Sequence, residues 1–131
     1  VPVSFEHIVI GNTYSRPTLA QLWGYAGYAA LARGVVTPKD DTKIILFVTR
    51  EKQQSSEQYA DHLHGDLLDW EGPTDHFAES RMLATAASGE EIHVFYRQRH
   101  HSDFMYEGIF TVIQYQQCSD QPSTFQLRRQ A

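Results

Sequence analysis

Hydrophobic and polar positions divide this chain into short apolar runs separated by polar turns, the clearest being Lys43-Ile44-Ile45-Leu46-Phe47-Val48-Thr49. Its nearly continuous apolar character predicts a strand buried on both faces. Glu91 to Arg97 and Tyr106 to Gln116 predict two further strands joined by the polar loop Gln98 to Asp103, and Ser123 to Arg128 predicts a last one. Phe5-Glu6-His7-Ile8-Val9-Ile10 alternates imperfectly and reads as a first strand stopped by Gly11-Asn12. Asp66 to Trp70 reads as a short strand ended by Gly72-Pro73.

Helical signals are briefer. Ser15 suits an N-cap, Pro17 a first turn, and Leu19, Leu22 and Trp23 an apolar stripe that Gly24 terminates. Thr74 predicts the cap of a second helix over Asp75 to Ala87, with Gly89 as terminator. Residues 25 to 37 are small and apolar, and Gly34-Val35-Val36-Thr37-Pro38 closes them as a turn or the start of a strand. Arg50 to Glu57 reads as a loop, and Tyr59 to His64 as a turn or short helical piece. About five to seven strands with two interleaved helices, and no long crossover helices between the late strands, predict an α+β fold: a small curled mixed β-barrel with two or three short flanking helices.

The length of 131 residues predicts one domain over 1–131, because two cores would leave each half too small to offset its backbone entropy. Lys and Arg number 11 against 16 Asp and Glu, a formal charge of -5, which counts against a domain whose whole surface grips a phosphate backbone. A basic patch must therefore be assembled by the fold, from Arg16 with Arg33, Arg50 with Lys52, Arg97 with Arg99, His100 and His101, and Arg128 with Arg129. The single Cys118 excludes an intramolecular disulfide and a multi-thiolate metal centre, and fits a reducing, intracellular setting. The apolar windows are too short to cross a bilayer, and the start at Val1, without Met or a basic leader, points to an excised module.

Catalytic motifs are missing: there is no Gly-rich phosphate loop, Cys pair, His-Glu-x-x-His or nucleophile elbow. His62 and His64 lie beside Asp61 and Asp66 with His76 downstream, and would hold a metal only by converging in space. Together with His100-His101 beside Asp103, they carry one alternative, a self-contained metal-dependent nuclease. The leading expectation is a domain with no catalytic residues, metal or cofactor.

Aromatic rings next to polar groups point elsewhere. Phe47, Tyr59, Trp70 and Tyr96 are candidates for holding a flat ligand such as a nucleobase, with Thr49 at the pocket rim. A carboxylate at Asp61 or Asp69 suits the exocyclic amine of cytosine. Tyr14-Ser15-Arg16 sits at a strand-to-helix junction, where free amides and Arg16 suit an anion; Arg81 and Arg97 are further candidates for the DNA backbone. Rings alone do not separate a nucleobase from a peptide, so a peptide- or protein-interaction module is the second alternative.

The ordered blocks Tyr14-Ser15-Arg16-Pro17-Thr18-Leu19, Leu22-Trp23-Gly24, Ile45-Leu46-Phe47-Val48-Thr49, Tyr59-Ala60-Asp61, Trp70-Glu71-Gly72, Glu91 to Arg97 and Phe104-Met105-Tyr106-Glu107-Gly108 carry a resemblance over roughly residues 10 to 115. They resemble the C-terminal modified-DNA-recognition domain of type IV restriction proteins, which is fused to a phospholipase D-like nuclease and a helicase and is related to SET-and-RING-associated (SRA) and PUA-like domains. The resemblance implies base flipping of 5-methyl- or 5-hydroxymethylcytosine from duplex DNA into an aromatic cage, to target a fused nuclease in the bacterial cytoplasm. It implies Tyr14, Ser15 and Arg16 near the mouth, and Phe47, Thr49, Tyr59, Asp61 and Trp70 around the pocket. Two departures stand out: Glu71-Gly72-Pro73 replaces a Ser-Gln pair common after the Trp, and Ala26 to Ala32 is unusually Ala-rich.

Overall fold

The computed structural model describes residues 3–38, 42–51, 61–73, 75–99 and 102–130. In chain order the elements are β1 (Thr13–Tyr14), α1 (Arg16–Leu22), a 3-10 turn (Tyr28–Leu31), β2 (Val35–Val36), β3 (Lys43–Glu51), β4 (His62–His64), β5 (Leu67–Glu71), α2 (Glu79–Leu83), α3 (Thr85–Ser88), β6 (Glu91–Arg99), β7 (Phe104–Gln116) and β8 (Thr124–Arg129). The strands form one mixed sheet in the order β2-β3-β6-β7-β8-β5-β4, and β1 pairs separately with β7.

The parallel pair β3–β6 runs in register from Lys43↔Glu91 to Glu51↔Arg99, flanked by antiparallel neighbours. Ile44 to Val48 are all buried, as the unbroken apolar run requires. Successive side chains point to opposite faces, so Ile45 and Phe47 join one hydrophobic cluster while Ile44, Leu46 and Val48 join another. Leu19, Ala20 and Trp23 cover the first face, and Phe77, Met82 and Leu83 cover the second.

A register shift opposite Val94 and Phe95 reverses the parity of β7. Phe104 and Tyr106 belong to the first cluster, but Phe110 and Val112 to the second. One extra residue on a bulged strand turns every later side chain to the other face. Gly108 takes φ 105° there, and an added Cβ would lie 3.2 Å from Ile10 Cδ1.

The expected curled barrel is not formed. The sheet is open, with the short strands β2 and β4 at its two ends, and among the described residues no pairing joins them. Closure is unnecessary for burial because helices and the N-terminal segment cover the two faces separately.

Other differences are local. Residues 5–10 form turns rather than a strand, because Gly11 N–H and Asn12 C=O already pair with Tyr106 on the edge they would need. Phe5 and Ile8 turn into the first cluster, while Val9 and Ile10 stay 53% and 60% exposed. His62–His64 is a strand, since it pairs with β5 instead of coiling. The single helix expected over Asp75 to Ala87 is two short ones, preceded by His76 and Ala78 at positive φ, which helical geometry does not permit. Its expected cap, Thr74, lies outside the described residues.

Candidate nucleic-acid interface

The C-terminal ends of β3 and β6 bring Thr49 and Arg97 into register. Arg97 Nε donates to Thr49 Oγ1 at 2.7 Å and Nη1 donates to the Ser102 carbonyl at 3.1 Å. Arg16, at the start of α1, donates from Nε to the Leu31 carbonyl at 2.6 Å and from Nη2 to that of Arg33 at 3.5 Å. Both guanidiniums lie over the Phe104 ring, Arg97 at 4.2 Å and Arg16 at 4.9 Å, and Arg16 also lies 4.7 Å over Phe47. Burial, and secondarily the charge of Arg97, lowers the Arg16 pKa to about 10; burial lowers that of Arg97. A cleft of about 280 Å³ opens beside Arg16, Tyr28, Arg97 and Phe104.

Neighbouring candidates serve the frame of this cleft. Ser15 Oγ accepts from Thr18 N–H and donates to Thr18 Oγ1, so it caps a helix of only seven residues. Tyr14 Oη accepts from Val9 N–H at 2.9 Å, and its ring meets Phe95 edge-on. Phe47, 4% exposed, stacks on Phe95 and packs against Phe104.

A second group occupies the opposite face. Trp70 is 6% exposed and tilts against Phe125 at 5.3 Å. Asp61, 4% exposed, accepts the Glu71 N–H at 2.8 Å, which fastens it to the residue after Trp70. Tyr96 packs against the same cluster as Trp70, and its buried Oη has no hydrogen-bond partner among the described residues. Asp69 is engaged elsewhere: it accepts from Gln126 Nε2 at 3.1 Å and pairs with His64 Nε2 at 3.0 Å. It lines an open cleft of about 400 Å³ with Trp70, Tyr115 and Phe125. Tyr59 lies outside the described residues, between the ends of β3 and β4.

Sequence candidates thus divide between two faces of one sheet. Asp61, Trp70 and Tyr96 belong to one side, while Phe47, Thr49, Arg16 and Arg97 belong to the other, so Phe47 and Trp70 do not sandwich a common space. Arg81 grips Glu90 through Nε at 3.0 Å and Nη2 at 2.8 Å. Phe104 and Tyr28 complete the arginine cleft, a role that their sequence positions do not announce; the available signal is an aromatic residue beside each basic or polar junction.

The histidines disperse. His62 and His64 have ring centroids 5.0 Å apart, whereas His76 pairs with the buried Glu79, which also accepts from Ser123 Oγ at 2.9 Å. Among the described residues no group of three or more His, Cys, Asp or Glu is placed to hold a metal ion, and His100 and His101 lie outside them. No helix among the described residues is long and apolar enough to cross a membrane.

No protein-family model and no curated protein matches the chain. Solved structures do. The chain is similar to the SUVH5 SRA domain in a complex with hemimethylated CG DNA (TM-score 0.68, 14% identity, 99% of this chain and 94% of that one). It is also similar to the SUVH5 SRA domain bound to fully hydroxymethylated CG DNA (TM-score 0.63, 15% identity, the same coverage). The DNA modification-dependent restriction endonuclease AspBHI matches at TM-score 0.55 and 12% identity, over 98% of this chain and 44% of that one. The fold is SRA-like.

Proposed function

We propose that this domain recognises 5-methyl- or 5-hydroxymethylcytosine in duplex DNA by everting the base, and thereby targets a nuclease in the same polypeptide, alongside a helicase, inside the bacterial cell. The observation that carries this reading is the SRA-like fold over 99% of the chain, shared with domains captured on methylated and hydroxymethylated DNA. Within it, Asp61, just before β4, accepts from the N–H of Glu71 in β5 and so sets a carboxylate beside the strand that carries the broad ring of Trp70.

The energetics of eversion are balanced. Extruding a base costs a few kcal/mol, and stacking on an aromatic ring returns about 1–3 kcal/mol. Trp70 supplies one such ring and Tyr59 the other. Asp61 accepts from the cytosine N4 amine, a donor that thymine lacks. The Tyr96 hydroxyl donates to the base or its substituent, while Phe47 and Thr49 brace the strand end behind them. Recognition of this kind needs no bond-breaking group.

A duplex carrying 2-aminopurine next to a modified cytosine tests eversion. Saturation with protein raises the 2-aminopurine fluorescence as its neighbour leaves the stack, and Trp70→Phe reduces the rise. Binding without any rise contradicts base flipping.

A further inference from the structure

We propose that Arg16 and Arg97 form a two-guanidinium clamp for one phosphodiester group of the DNA strand, across the sheet from the base pocket. The inference rests on the base-reading function above and assigns it the contact that holds the strand. Five arginines can be compared by what neutralises them. Arg33 pairs with Asp75, Arg81 with Glu90, and Arg129 with both Asp66 and Glu107. Arg16 and Arg97 differ: among the described residues their hydrogen bonds reach only neutral oxygens, those of Leu31, Arg33, Thr49 and Ser102. Asp103 stands exposed at the rim and makes no ion pair with either among the described residues.

Two like charges at one cleft repel, and the ring of Phe104 beneath both offsets only part of this. Desolvation, and secondarily their mutual repulsion, already depress the Arg16 pKa. An anion placed between them removes the repulsion and meets the Nη groups that are uncommitted among the described residues, Nη1 of Arg16 and Nη2 of Arg97, in the geometry guanidinium offers to phosphate. The bonds to Leu31, Thr49 and Ser102 fix both side chains in advance. Position favours a strand next to the everted nucleotide, because Arg97 directly follows Tyr96 and Thr49 directly follows Val48, on neighbouring parallel strands.

The test combines protein and DNA substitutions, read by fluorescence anisotropy across a salt series. Arg97→Gln should weaken binding to modified and unmodified duplexes alike by about tenfold, and reduce the salt slope by about 0.9, the value for one phosphate. Arg16→Lys, which keeps the charge but loses the fork, should weaken both by a smaller factor. A neutral methylphosphonate scanned along the strand should weaken binding of the unaltered protein most at one position, and cost Arg97→Gln distinctly less at that position because only Arg16 remains to lose the contact. Unchanged affinity and slope in a folded Arg97→Gln protein, or a methylphosphonate scan with no sensitive position, overturns the clamp. Equal wild-type binding of modified and unmodified duplexes, with the slope change intact, instead overturns base reading and leaves the clamp standing. Absence of binding to either duplex at low salt overturns both.

Discussion

Tyr96→Phe should move stability and binding in opposite directions. The substitution deletes one oxygen that is buried, without a hydrogen-bond partner among the described residues, on a strand held between β3 and β7. An unsatisfied buried polar group costs about 1–3 kcal/mol, so its removal stabilises the free protein by roughly 1 kcal/mol or more. That corresponds to a few degrees in Tm for a domain of this size. If the hydroxyl instead completes its bonding on the everted base, its loss forfeits about 0.5–1.5 kcal/mol of binding, or about two- to twelvefold in Kd. Urea denaturation and thermal melting measure the first effect, and anisotropy with a modified-cytosine duplex measures the second. A less stable variant refutes the premise that the phenol is orphaned. A more stable variant with unchanged affinity refutes its role toward the ligand.

Three further outcomes follow from other sites. Asp61→Asn keeps an oxygen for the Glu71 N–H but loses the charge, so affinity for the modified duplex should fall by about tenfold while urea denaturation shifts by less than about 1 kcal/mol. Burial first, and the charge of Glu91 second, push the Tyr106 phenol up to about 12. Its contribution to stability is therefore present below about pH 10 and lost as pH rises toward 12, and Tyr106→Phe should flatten that part of the urea-midpoint profile. Gly72→Ala would place a Cβ 3.3 Å from Phe125 Cε1 and 3.6 Å from both Glu79 Oε2 and the Ser123 carbonyl, so it should destabilise by roughly 1–3 kcal/mol in chemical denaturation.

What could be read from sequence followed the strength of local pattern. The run from Ile44 to Val48 announced a doubly buried strand, and Ser15 before Pro17 announced a capped helix; both stand in the structure. Register was less legible. Alternation places Phe47 and Thr49 together, but only the neighbours of β3 decide that this side is separate from the face of Trp70. The bulge that turns β7 over has no signal stronger than Gly108, and the open sheet depends on which segments cover each face. Pairing of His62–His64 with β5 is likewise tertiary, because three residues carry too little periodicity to choose between strand and turn. The two arginines of the clamp lie 81 positions apart, so their convergence on Phe104 belongs wholly to the fold.

The central claim is that this SRA-like domain distinguishes modified from unmodified cytosine. Its most direct measurement is the Kd of the unaltered protein for otherwise identical duplexes carrying unmodified, methylated, hydroxymethylated or glucosylated cytosine at one position. One buried methyl contributes about 0.8 kcal/mol, which predicts about fourfold tighter binding of the methylated duplex than of the unmodified one. Equal dissociation constants across the whole set would contradict the account.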